Sequence, residues 1–194
     1  MASDMPQAYK VSPSEAVLCI VDFQERLAAA MPEATRLACE RNIILLLELA
    51  QRQGWPVLVC EQYPQGLGAT VPSLAAAVGA RSGGVFALEK IHFSATEAPG
   101  FDAIFQQIGR RQWIVTGMEA HVCVFQTVRG LLERGVQVHV PEDAVVSRSS
   151  ANGLRGLTLC ERMGAVVSCT ETIVFDALGV AGTDDFKVLS KRLR

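Results

Sequence analysis

The feature that most constrains this chain is a series of short runs that are apolar almost throughout rather than alternating. Six can be read off: Ala16 to Val21, Pro56 to Cys60, Val85 to Leu88, Trp113 to Thr116, Val136 to Val140 and Ala165 to Cys169. A strand with one solvated face alternates apolar and polar residues, whereas a strand buried on both faces does not, and parallel sheets are buried on both faces. Between the runs lie stretches with helical spacing. The clearest extends from about Pro32 to Gln53, with Pro near its start and Gly54 just past its end. Gly135 and Gly164 close two later helices in the same way. Alternating strand and helix implies βαβ units with right-handed crossovers. The sequence thus predicts an α/β fold, a three-layer sandwich around a six-stranded, mostly parallel, doubly wound sheet of Rossmann-like kind. The segment Tyr63 to Arg81, rich in Gly, Ala and Pro, reads as a long loop with a short helix. With no linker, composition shift or internal repeat, residues 1–194 read as a single domain.

Composition narrows the partners. Hydrophobic residues make up 49% of the chain and charged ones 20%, which excludes disorder and collagen-like repetition. Eighteen basic residues against twenty acidic ones leave a net charge of −2, with no basic stripe for nucleic acid. The short basic tail Lys187 to Arg194 reads as a solvated helix end. Apolar runs such as Ile43 to Leu47 fall far short of the roughly 18 residues a membrane helix needs. The first ten residues carry one Lys and no apolar core, so neither a secretory signal nor a transit peptide is expected. Six cysteines sit singly without a CxxC pair, as reduced thiols do. The cytoplasm is the expected compartment, an organelle the alternative.

In open α/β sheets ligands bind beyond the carboxyl ends of the strands, so the residues that follow each strand carry the chemical information. The first strand runs into Asp22, the third into Glu89 and Lys90, and the fourth into Thr116-Gly-Met-Glu-Ala-His-Val-Cys123, after which Val124 to Arg134 has helical spacing. Each has an ordinary reading: Asp22 as a helix cap, Lys90 as a solvated charge, Cys123 as a small buried hydrophobe. Cys19, Cys60 and Cys169 lie in expected strands, Cys39 and Cys160 on expected helices, and all five keep that ordinary reading. Cys123 differs because it follows a Gly-containing strand-to-helix turn, where a helix N-terminus favours thiolate. Asp22, Lys90 and Cys123 together offer a base, a cation and a nucleophile on three strand ends. Gly66-x-Gly68 and Gly83-Gly84 lack the context of a phosphate loop, and GxxxxGK[ST], HExxH and GxSxG are absent. No cofactor is expected.

These residues resemble the isochorismatase-like cysteine hydrolases, which include nicotinamidases and carbamoylsarcosine-type amidohydrolases. The resemblance runs from about Ala16 to Asp176. It rests on Val17 to Gln24, on Glu89-Lys90-Ile91-His92-Phe93-Ser94-Ala95, and on Gly117 to Val124 with Gln126-Thr127 following. The wording Glu61 to Gly68 and Glu119 to Cys123 is most similar to the subgroup called isochorismatase domain-containing proteins.

The resemblance implies the isochorismatase-like hydrolase fold and Asp22, Lys90 and Cys123 as catalytic residues. Asp22 would take the thiol proton, Lys90 would favour the anion, and sulfur would attack a carbonyl carbon. It further implies an oxyanion hole from the backbone N–H groups of Glu119 and Cys123, with a cis peptide between Met118 and Glu119. Phe23, Gln62, Tyr63 and His121 are the expected substrate pocket. Where nicotinamidases carry a metal-binding Asp-x-His, this chain has Glu61-Gln62-Tyr63, and His92, His121 and His139 lack ligand-like spacing, so no metal is expected. The implied partner is a small-molecule substrate, with no nucleic acid and no membrane, and the chain is expected to form a homo-oligomer. Cleavage of a small amide through a thioester is the leading expectation. The alternatives are hydrolysis of a vinyl ether of the isochorismate kind, and a non-catalytic binding or redox-sensitive protein.

Overall fold

The computed structural model describes residues 9–193. The first eight residues, part of the segment on which the absence of a leader was read, lie outside them, as does Arg194 of the basic tail. The strands are β1 (Ala16–Val21), β2 (Val57–Gln62), β3 (Val85–Lys90), β4 (Gln112–Met118), β5 (Gln137–Pro141), β6 (Val145–Val146) and β7 (Val166–Ser168). The helices are α1 (Glu25–Ala29), α2 (Glu33–Arg52), α3 (Pro64–Leu67), α4 (Pro72–Gly79), α5 (Phe101–Ile108), α6 (Phe125–Glu133), α7 (Ser150–Arg162), α8 (Thr170–Leu178) and α9 (Asp184–Arg192).

The strands form one sheet in the order β3-β2-β1-β4-β5-β7, with β6 also paired to β4, and every strand pairing is parallel. The expected architecture is therefore observed with seven strands rather than six. The added strand is β6, two residues beside Gly117 and Met118, too short to leave a periodic signal. From β1 the chain steps outward through β2 to β3, then returns to the other side of β1 for β4 and steps outward again. The reversal opens a crevice at the carboxyl ends of β1 and β4.

Alternation in β1 divides the interior into two layers. Leu18 and Ile20 pack with Ile43, Leu46 and Leu49 of α2, while Val17, Cys19 and Val21 pack with Phe101, Val124, Val128 and Leu131 on the opposite face. Three local expectations change. The segment Tyr63 to Arg81 holds two helices, α3 and α4, each with Pro in its first turn. Strand β3 continues past Leu88 through Glu89 to Lys90. Cys169 lies just beyond β7, where it precedes α8 and contacts the Thr172 hydroxyl at 3.1 Å.

At the amino end of the sheet, Gln112 of β4 ties down the incoming chain. Its amide accepts from the Ser12 N–H and donates to the Lys10 carbonyl at 2.6 Å each, and it faces His139 Nε2 at 3.1 Å. The two hydrogens of the Gln112 amide nitrogen are shared among the Lys10 carbonyl, Gln137 Oε1 at 2.7 Å and the buried His139 ring. Burial lowers the His139 pKa to about 4, against an upward pull from Asp176. The unfolded chain therefore binds this proton near pH 6.5 and the native one only near 4, so stability falls as pH drops through that window. Urea unfolding of wild type should lose about 3 kcal/mol more between pH 7 and 4 than His139→Gln does. Parallel pH profiles of the two proteins would remove His139 as the cause.

Candidate active site

Asp22 ends β1 with its backbone turned into the left-handed region at φ 50°, sparsely populated by residues other than glycine. Its N–H is held by the Cys60 carbonyl at 3.0 Å. Lys90, the last residue of β3, crosses the end of β2 to reach it. The Lys90 ammonium donates to Asp22 Oδ2 at 2.6 Å, and both side chains are 0% exposed. Gln62 Oε1 at 2.8 Å and the carbonyls of Phe93 and His92 at 3.1 and 3.2 Å complete the ammonium's shell. A buried cation and anion persist only when paired and hydrogen-bonded in this way.

Cys123 belongs to a π-helical turn, Ala120–Val124, that leads from β4 into α6. Two close approaches fix this turn. A Cβ added at Gly117, whose φ is +109°, would fall 2.0 Å from the Val21 carbonyl oxygen of β1. A Cβ at Gly156 on α7 would meet His121 Cα at 2.6 Å and the Ala120 carbonyl at 2.7 Å. The peptide bond between Met118 and Glu119 is cis.

The thiol of Cys123 lies close enough to the Asp22 carboxyl to feel its charge and is 6% exposed. Asp22 Oδ1 is buried without a hydrogen-bond partner. Burial pushes the thiol up to about 12, the Asp22 charge adds to this, and Lys90 opposes it. Burial likewise pushes the Asp22 carboxyl above its ordinary range, while the Lys90 charge and hydrogen bond pull it down. The expected helix-terminus thiolate is thus replaced by a resting thiol, because burial outweighs the turn's dipole.

The four expected pocket residues divide. Gln62 touches the Lys90 ammonium and donates to the Ile91 carbonyl at 2.8 Å. Tyr63 is exposed and forms, with Pro64, Gln65, Glu89, Lys90, Ile91 and Pro99, a cavity of about 280 Å³ beside Lys90. His121 pairs through Nδ1 with the Ser147 hydroxyl at 3.0 Å. Phe23 does not line the site: it is fully buried in the Leu18 and Ile20 layer, across the sheet from Cys123, because the turn at Asp22 redirects the chain.

Sequence reading passed over three supports. Fully buried Gln24 accepts from the Gln62 N–H at 2.8 Å and donates to the Gln62 and Gly68 carbonyls at 3.0 and 2.7 Å, which pins the end of β2. Glu61 accepts from both the N–H and hydroxyl of Thr70 at 2.6 Å. Glu119 is gripped by Arg148. Only Gln24 had a sequence signal, as a polar residue following a strand that ends in Asp. The residues in the position of the nicotinamidase metal ligands do not fit a metal. Glu61 is occupied by Thr70, and among the described residues no group of three or more His, Cys, Asp or Glu is arranged to hold one. Nor, among those residues, is any helix long and apolar enough to cross a membrane.

A doubly wound parallel sheet with Asp, Lys and Cys converging at its strand ends defines a class, and residues 16–172 match the isochorismatase domain. The chain belongs to the isochorismatase family. Isochorismatase domain-containing protein 2 from Homo sapiens is 33% identical over 201 residues, covering 100% of this chain and 90% of that protein. A structure of MAR1 ribonuclease from Caenorhabditis elegans superposes with a TM-score of 0.83 at 31% identity, covering 95% of this chain and 92% of the other. The YcaC gene product from Escherichia coli, described as an octameric hydrolase of unknown specificity, superposes with a TM-score of 0.83 at 18% identity, covering 94% and 90%.

Proposed function

We propose that the protein is a cysteine hydrolase that cleaves the carbon–nitrogen bond of a small amide without a metal. The observation that carries this reading is the fully buried Lys90–Asp22 pair with the Cys123 thiol against the same carboxylate. Hiding a carboxylate and an ammonium from water is expensive even when they are paired, and the thiol beside them gives the pair a chemical role. As sulfur bonds to the carbonyl carbon, its proton passes to Asp22, and negative charge moves to the carbonyl oxygen. That oxygen is received by the N–H groups of Glu119 and Cys123, an arrangement worth on the order of 3 kcal/mol per donor. Collapse breaks the carbon–nitrogen bond, and the leaving amine takes the proton from Asp22. Water then gives a proton to Asp22 and attacks the thioester, releasing the acid and restoring the thiol.

The test is intact mass spectrometry during turnover of a panel of small primary amides, with isochorismate and RNA as further arms. An acyl adduct on Cys123 with ammonia released supports the reading. Pyruvate from isochorismate, or RNA cleavage without an adduct, replaces it. The exposed Tyr63, Ile91 and Phe93 beside the site are the apolar surface that a homo-oligomer would cover, and a solution mass from light scattering decides that point.

The raised thiol makes a pH prediction. Below about 12 the thiolate fraction grows tenfold per pH unit, so iodoacetamide labelling of Cys123 should keep rising from pH 7 to 10 instead of levelling near 8.5, as an ordinary thiol does. Turnover should fall on acidification as Asp22 protonates above the ordinary carboxylate range. Asp22→Asn should lower kcat by about 10³-fold. A labelling plateau near pH 8.5 would overturn the resting-thiol description, and near-normal kcat in Asp22→Asn would remove the base.

A further inference from the structure

Lys90 reaches Asp22 by passing over the strand that separates them. Strand β2 lies between β1 and β3, and its last residue, Gln62, stands in register with Lys90. The Gln62 amide meets the ammonium there. Its Oε1 accepts from Lys90 Nζ at 2.8 Å, while its Nε2 donates to the Ile91 carbonyl at 2.8 Å. These two contacts fix which way the amide faces. Turned over, it would set its NH2 group against an ammonium that only donates and its oxygen against a carbonyl that only accepts. Lys90 has three N–H bonds for Asp22 Oδ2 at 2.6 Å, Gln62 Oε1, and the Phe93 and His92 carbonyls at 3.1 and 3.2 Å. The two shortest contacts are those to Asp22 and Gln62, which leaves the two loop carbonyls to share the third hydrogen. The backbone of Gln62 is held as well. Gln24, whose N–H donates to the Asp22 carbonyl at 2.8 Å, grips the N–H and carbonyl of Gln62 with its fully buried amide. A closed ring of contacts therefore runs from Asp22 through Gln24, Gln62 and Lys90 back to the Asp22 carboxylate.

We infer that Gln62 is a positioning residue for the Asp22–Lys90 pair, which acts through Lys90: its amide oxygen holds the ammonium against the carboxylate, and the bond to Ile91 keeps that oxygen turned toward it. The inference rests on the reading of Asp22 as the base. The amide oxygen is committed to Lys90, which makes Gln62 a support of the pair rather than a wall of the substrate pocket. Without this acceptor the buried ammonium loses one of its two closest hydrogen bonds and its fixed place. Asp22 then loses part of the attraction that keeps it ionised, while its burial remains, so its titration moves up.

The experiment follows the Asp22 carboxyl carbon by NMR across a pH titration of protein carrying 13C-labelled aspartate, its signal identified by its loss in Asp22→Asn. Gln62→Met, which keeps the length of the side chain and removes both amide groups, should raise the titration midpoint by about one pH unit. Gln62→Leu makes the same test if the methionine variant does not fold. Lys90→Met, with the cation gone altogether, should raise the midpoint further. Thr70→Val takes a hydroxyl from Glu61 at the same end of β2 without touching the ammonium, and should leave the midpoint where wild type has it. A Gln62 that serves only to bind substrate predicts an unchanged midpoint in Gln62→Met, and that result would overturn the inference. So would a shift of equal size in Thr70→Val, which would show the effect to be loosening of the strand end. The hydrolase reading fails on different evidence, the absence of an acyl adduct on Cys123, and that failure would leave the Gln62→Met shift standing.

Discussion

Cys123→Ala is expected to lower turnover by at least about 10⁴-fold while its melting temperature stays within a few degrees of wild type. The loss is large because both halves of the proposed cycle run through the acyl–sulfur bond, and groups that act as a unit lose nearly all their effect when one is removed. The fold survives because the substitution removes one small atom from a turn held by backbone contacts at Gly117 and Gly156. Steady-state rates on whichever amide the panel yields, with circular dichroism melting, check both halves. Undiminished hydrolysis would end the covalent mechanism, and a collapsed fold would show Cys123 to be core.

The largest effect on stability is expected elsewhere, at Gly117→Ala. Gly117 stands in register with Val21, and an added Cβ would lie 2.0 Å from the Val21 carbonyl oxygen and 2.7 Å from its nitrogen. Neither atom can move without breaking the β1–β4 pairing, and φ +109° is foreign to alanine. A cost of roughly 4 kcal/mol or more follows, a drop on the order of 10 °C or more for a chain of this size. The control is Gly179→Ala, whose Cβ would come no nearer than 4.0 Å to a neighbour, so that variant carries only the cost of a positive φ. Equal melting temperatures for the two would show that contact with β1 is not what Gly117 provides.

How much of this was legible in the sequence depended on whether a residue's environment is created locally. Strand β1 was read with its observed limits, Ala16 to Val21, because all six residues are buried and a charged residue follows. Strand β3 was cut short at Leu88, since Glu89 and Lys90 look solvated until Asp22 accepts the lysine's charge 68 residues away. Strand β6 exists only because Val145 and Val146 come to lie beside the end of β4. Asp22, Lys90 and Cys123 could be proposed because strand ends are where such sheets keep their ligands. The pairing of Glu119 with Arg148 spans 29 residues and left no local pattern, and the resting state of the thiol depends on burial that no spacing expresses. Phe23, expected in the pocket from the family resemblance, is buried with the Leu18 and Ile20 layer beyond the left-handed turn at Asp22.

The outward steps of the sheet from β1 have a consequence for synthesis. A chain emerging from the ribosome completes β1, β2 and β3, and with them Asp22 and Lys90, well before Cys123 is made. The half-made molecule therefore has its charge pair but no thiol, and the edge of β1 that later receives β4 stands open. When β4 docks, one event closes that edge, threads Gly117 against Val21 and delivers the sulfur to its carboxylate. Of the three candidate residues the thiol is the last to be made, and it reaches its carboxylate together with the strand that closes the edge of β1.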